Sequence, residues 1–102
     1  MRAKYLLQGS YTTEGVKGLL KDGGSKRRTA AQQAIESVDG RLEAFYFTFG
    51  ENDVFAIFDV PDNASVAAAA LAIKASGAFN ARTTVLLTPE EVDQATKKTI
   101  RS

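Results

Sequence analysis

The chain has 102 residues, 44% of them hydrophobic and 25% charged, with a net charge of +1 and neither cysteine nor histidine. That length makes one domain, residues 1–102, able to bury a core without staples. The missing residues exclude disulfides, thiolate nucleophiles, Ser-His-Asp and Cys-His catalysis, and any metal site built on imidazole or thiolate.

The charge is uneven along the chain. Residues 1–28 carry seven basic and two acidic groups, residues 29–62 one basic and seven acidic, and residues 63–102 five basic and three acidic. The whole is too balanced for a dedicated nucleic-acid binder, whereas the blocks suit complementary patches between subunits. No run approaches the ~20 apolar residues of a membrane span, and Met1-Arg2-Ala3-Lys4 opens no signal peptide, so a soluble cytoplasmic protein is expected.

In chain order, residues 3–11 alternate as a strand, with Tyr5, Leu7 and Tyr11 on one face. Gly9 among them suggests a bulge or a close approach by another group. Thr12 or Thr13 caps a short helix with Val16, Leu19 and Leu20 at helical spacing, and Asp22-Gly23-Gly24 breaks it. Ser25 is placed to cap a second, longer helix striped by Ala31, Ala34, Ile35 and Val38 and ended by Gly40.

Residues 41–60 hold five of the six phenylalanines and read as a β-hairpin at the centre of a sheet, because they are apolar on both faces. A Gly50-Glu51-Asn52 loop pairs Phe47 with Phe55, Phe45 with Ile57 and Glu43 with Asp59. A longer or shorter loop shifts these sets. Asp62 or Asn63 then caps a helix over about 64–76, striped by Val66, Ala69, Ala70 and Ile73, whose alanines let it lie close to the sheet. Gly77 stops it. A fourth strand covers about 80–87. Thr88-Pro89-Glu90-Glu91 is a strong start for a terminal amphipathic helix.

The order β-α-β-β-α-β plus a terminal helix predicts an α+β, ferredoxin-like fold: a four-stranded antiparallel sheet with its main helices on one face. The other face carries several aromatics, and a large open apolar patch is unusual on a soluble monomer. A homodimer or higher oligomer with sheets packed face to face is therefore expected. The alternative is the terminal helix folded across that face.

Several stretches then stand out: Lys4-Tyr5-Leu6-Leu7-Gln8, Thr12-Thr13-Glu14-Gly15-Val16-Lys17-Gly18-Leu19-Leu20, Gly23-Gly24-Ser25, Arg27-Arg28, Glu43-Ala44-Phe45-Tyr46-Phe47, Gly50-Glu51-Asn52-Asp53, Pro61-Asp62-Asn63-Ala64-Ser65 and Leu86-Leu87-Thr88-Pro89-Glu90-Glu91-Val92. Together they resemble the bacterial GYD-domain family over nearly the whole chain. The family is named for a Gly-Tyr-Asp turn, and here Asn52 stands where the tyrosine usually is, with Glu51 between Gly50 and Asn52. The resemblance implies a place among the dimeric α+β-barrel proteins. That wider group includes cofactor-independent monooxygenases, small-molecule isomerases and ligand-binding domains of leucine-responsive-type regulators. Choosing an activity among them is analogy from fold.

Three constellations are candidate sites. Ser25, Arg27 and Arg28 form an anion-binding candidate at a helix start, against which stands a solvated turn with its arginines paired to Glu36, Glu43 or another subunit. Tyr5, Tyr11, Phe45 and Phe47, with Phe49 and Phe55, suggest an apolar ligand-binding face, against which stands simple packing. Arg82 could hold an anionic ligand or balance Asp59 or Glu43. Glu43, Asp59 and Asp53 are the carboxylates that acid–base chemistry would use: Glu43 opposite Asp59 is a like-charge pair, which would raise one pKa, and Asp53 either closes the turn or lines an entrance.

The favoured function is a small homo-oligomer that binds a small molecule in a cleft between sheet and helices. A cofactor-independent enzyme and a purely structural assembly unit are the alternatives. No cofactor, metal, nucleic acid or membrane is expected, since without His or Cys only a hard-cation carboxylate site remains and no EF-hand spacing is present.

Overall fold

The computed structural model describes residues 2–101. Its elements are β1 (Ala3–Tyr11), α1 (Thr13–Asp22), α2 (Gly24–Glu36), β2 (Arg41–Phe47), β3 (Val54–Val60), α3 (Asn63–Ser76), β4 (Phe79–Leu86) and α4 (Pro89–Thr96). The strands form one antiparallel sheet in the order β2-β3-β1-β4. This is the expected α+β fold, with the two helices expected between β1 and β2 and the terminal helix α4 added to the ferredoxin-like order.

Local chemistry sets most of the boundaries. The Thr12 hydroxyl accepts from Gly15 N at 3.2 Å and starts α1. Asp62 accepts from Ser65 N at 2.8 Å and starts α3, an interaction that holds the Asp62 carboxyl below its usual range. Gly77, at φ 68°, takes the left-handed position that stops α3. Thr88 and Glu91 make a reciprocal capping box on α4.

Ser25 does not cap α2. The helix begins two residues earlier than that cap would set it, at Gly24, because Gly23 at φ 82° ends α1 and precedes α2 at once. Its N–H closes α1 on Leu19 O at 2.8 Å and its carbonyl accepts from Arg27 N. At the other end α2 stops at Glu36, and Asp39 rather than Gly40 takes the positive φ of 61°. Gly40 is still needed, because a Cβ there would stand 2.6 Å from Ile35 Cγ2.

The hairpin register differs from the expected one by a residue. Phe47 pairs with Val54, Tyr46 with Phe55, Phe45 with Ala56 and Ala44 with Ile57. The loop runs from Thr48 to Asp53, closed by Thr48 N to Asp53 O at 2.9 Å, with Phe49 at φ 44°. A bulge at Glu43 then shifts the pairing by one residue more, setting Leu42 opposite Phe58 and Arg41 opposite Asp59. Because side chains alternate, that slip assigns every residue of the hairpin to a face. Val54, Ala56, Phe58 and Val60 are buried under the helices, with Phe45 and Phe47 on the same side.

The core is Tyr5, Leu7, Ile35, Ala56, Phe58 and Val60, joined by parts of α3 through Val66, Ala69 and Ile73. Gly9 is a close approach rather than a bulge: a Cβ there would collide with the Asn80 carbonyl and stand 2.8 Å from the Phe79 ring. The opposite face of the sheet presents Leu6, Ala44, Tyr46, Phe55 and Ile57 among Lys4, Gln8, Arg82 and Thr84, and Tyr46 is 66% exposed. The terminal helix does not cover it. α4 packs extensively against no other element among the described residues; Val92 on it and Ile100 beyond it are exposed, and the molecule is 52 Å long. No helix among the described residues is long and apolar enough to cross a membrane.

Candidate functional site

Alanines define the most developed cavity. α2 turns Ala30, Ala31 and Ala34 toward α3, which answers with Ala68, Ala69 and Ala72. Methyl groups are too short to close the gap between the helices, so a cleft of about 390 Å³ opens above the sheet. Its floor is Leu7 and Tyr11 of β1, Leu42 and Phe45 of β2, Val54, Ala56 and Phe58 of β3, and Phe79 of β4. That size and apolar lining are those of a small-molecule site.

Arg27 is the one charged side chain lining the cleft among the described residues. Its Nη2 donates to Asp22 Oδ2 at 2.9 Å, and its head lies in space that any side chain at position 18 would occupy, so Gly18 is what admits it. Its Nε is buried and meets no acceptor among the described residues. A buried donor left unmade costs about 1–3 kcal/mol, so this end of the cleft carries an unmet demand for a hydrogen-bond acceptor.

Tyr11 lines the same cleft. Its ring meets Phe79 edge-on at 5.1 Å, and its backbone N–H donates to Asp53 Oδ2 at 3.0 Å. Burial pushes the Tyr11 phenol above its ordinary 10.0; Arg27 pulls it down and Asp53 pushes it up. The phenol therefore keeps its proton at neutral pH.

Of the residues singled out from sequence, Tyr11, Phe45 and Arg27 come together in the cleft. Tyr5 is instead in the core, its hydroxyl donating to Asn63 Oδ1 at 2.8 Å. Phe47 lies outside the cleft lining, packed between Phe45 and Phe49 with centroids 5.4 and 5.8 Å away. Arg82 sits opposite Gln8 on the far face of the sheet. Ser25 and Arg28 are exposed.

The carboxylates are occupied elsewhere. Glu43 and Asp59 do not face each other, because the bulge moves Glu43 aside to pair with Lys4 at 2.8 Å. Asp59 meets Arg2 and Arg41. Burial alone would raise the Asp59 carboxyl, but the Arg2 hydrogen bond and charge, helped by Arg41, hold it below its ordinary 3.8. It is an ionised structural anion, not a poised base. Asp53 ties the hairpin loop to β1: its carboxylate takes Tyr11 N and its own N–H donates to Gly9 O at 2.8 Å.

The alanine walls were the part that residue-by-residue reading missed. Their signal is the matching of two alanine-rich helical faces, one on each main helix.

The family model described as the GYD domain matches residues 5–96. This chain belongs to the GYD-domain family. The match covers β1 from Tyr5 onward and every later strand and helix of this GYD domain, the cleft included. Its Gly50-Glu51-Asn52-Asp53 turn lies beside a smaller cavity of about 220 Å³. There Asn52 donates to Gln8 Oε1 at 3.2 Å. No curated protein and no solved structure matches the sequence.

Proposed function

We propose that this GYD-domain chain is a small-molecule-binding homo-oligomer, with its ligand held between the sheet and helices α2 and α3. The supporting observation is the apolar cleft of about 390 Å³ over Leu7, Phe45 and Phe58. Sealed cores pack to near-crystalline density, so so large an apolar gap in a small domain is an expense unless something fills it. No reaction is assigned, since family membership names none and Glu43, Asp53 and Asp59 are engaged in structural contacts.

Self-association fits the same reading. The face bearing Leu6, Ala44, Tyr46, Phe55 and Ile57 is left uncovered by α4, and a second copy of that face is its natural cover.

Native mass spectrometry of gently purified protein reads subunit number and retained ligand together. Its companion is a saturation titration with decanol, on the natural chain and on Ala69→Phe, which places a ring in the cleft. The expected result is an oligomer binding one decanol per chain, with binding lost in Ala69→Phe while circular dichroism is unchanged. Binding that is absent, or equal in both proteins, refutes the cleft as the site. A monomer refutes the association.

A further inference from the structure

We infer that the cleft takes an amphiphilic monoanion: a carboxylate on an unbranched or flat apolar body, with the carboxylate on Arg27. This rests on the cleft being the ligand site, and adds the chemical class of the ligand.

Arg27 is the sole charge on the lining among the described residues, and its ion-pair partner Asp22 lies outside the lining. The surrounding segment, residues 21–28, holds four basic groups and one acid, Asp22. Asp22 engages Nη2 alone, while the buried Nε finds no acceptor. The guanidinium is also held in place, between Asp22 and the space left by Gly18.

The second polar group at this end, the Tyr11 phenol, keeps its proton. Arginine has donors and no acceptors, and a protonated phenol offers another donor. The complementary head group is acceptor-only and negative, which describes an ionised carboxylate. An ammonium would meet like charge, and a hydroxyl would forgo the charge assistance. The rest of the lining is two alanine walls over an aromatic and aliphatic floor, with two serine hydroxyls, Ser37 and Ser76, that already donate to the Ala34 and Ile73 carbonyls, so it suits an apolar tail.

The deciding experiment is calorimetric titration at neutral pH with decanoate, decanol and decylamine, probes equal in tail and different in head. Decanoate is expected to bind about 10-fold or more tighter than decanol, the worth of a hydrogen bond to a charged group. Decylamine should bind most weakly. Shortening the acid by two carbons should weaken it roughly 15-fold, at the usual gain per buried methylene. In Arg27→Gln the preference for decanoate over decanol collapses, and in Arg27→Lys part of it returns.

Equal binding of decanoate and decanol to the natural chain overturns the anion assignment and leaves the apolar cleft standing. No binding by any of the three overturns the cleft itself. Because the comparison of heads is made on the natural chain, a variant that fails to fold does not obscure it.

Discussion

Replacing Gly9 by alanine tests the packing of β4 on β1. The added methyl would fall into the Asn80 carbonyl, 2.8 Å from the Phe79 ring and 2.9 Å from Ala81 Cα. Two of those three neighbours are backbone, in the strand that pairs with β1 through Gly9↔Ala81 and Ser10↔Asn80. They can retreat only by opening that ladder, and β4 is an edge strand with no other partner in the sheet. Overpacking of this kind costs about 1–3 kcal/mol, and a backbone obstacle places it near the top of that range. For a domain of this length, about 3 kcal/mol corresponds to a fall in Tm of roughly 12–20 °C. Thermal and urea melts followed by circular dichroism measure it, with the m-value expected to stay constant. Adding Phe79→Ala to Gly9→Ala removes the ring contact and leaves the carbonyl, so the double variant should recover little. A Gly9→Ala chain that melts within a few degrees of the natural one would refute the β1–β4 register.

Two pH-dependent outcomes follow from the ionisable groups. Asp59 has a folded-state pKa below 3.8, so its stabilisation is present above that value and is lost as pH falls through the lower folded value. Asp59→Asn should remove this part of the acid limb of a stability–pH curve. At neutral pH it should cost about 1–2 kcal/mol, less than the ~3–5 of a fully buried pair, because the partners Arg2 and Arg41 are 44% and 77% exposed. Tyr11 is the opposite case: its phenol is raised above 10.0, so stability is full below that value and declines as pH rises through it toward the folded pKa. In absorbance titrations, Tyr11→Phe should lack a tyrosine step above 10.0 that the natural chain shows; loss of a step at or below that value refutes the assignment.

Much of the fold was legible because its signals are local. The Thr88-Pro89-Glu90-Glu91 start, the Gly77 stop and the Asp62 cap each act within one turn of backbone. The aromatic content of residues 41–60 was enough to place a hairpin but not to place it at the sheet's centre: β3 is a central strand, whereas β2 is an edge and β1 takes the other central position. The hairpin's register was not legible, because the loop admits Phe49 at a positive φ and the strand absorbs a bulge at Glu43. Neither leaves a mark on the sequence, yet together they exchange an imagined Glu43–Asp59 repulsion for the Arg41–Asp59 and Lys4–Glu43 ion pairs. The same limit applied to the cleft. Tyr11 and Phe45 were identifiable as members of an apolar surface. Whether alanines draw a helix onto a sheet or hold a space open depends on the distance to the next helix, which no single helix encodes.

The bulge gives β2 an unusual tolerance. Pairing runs Leu42↔Phe58 and then Ala44↔Ile57, so Glu43 has no partner on β3. Loss of that one codon would join Leu42 directly to Ala44 and leave every other pair, and every side chain's facing, as it is. Loss of Ala44 would be absorbed in the same way, with Glu43 taking its place opposite Ile57, whereas loss of Phe45 or Tyr46 would carry Ala44 onto the core face opposite Ala56. Deletions in β2 among relatives of this chain should therefore gather at positions 43 and 44, with the Lys4 ion pair as their main local casualty.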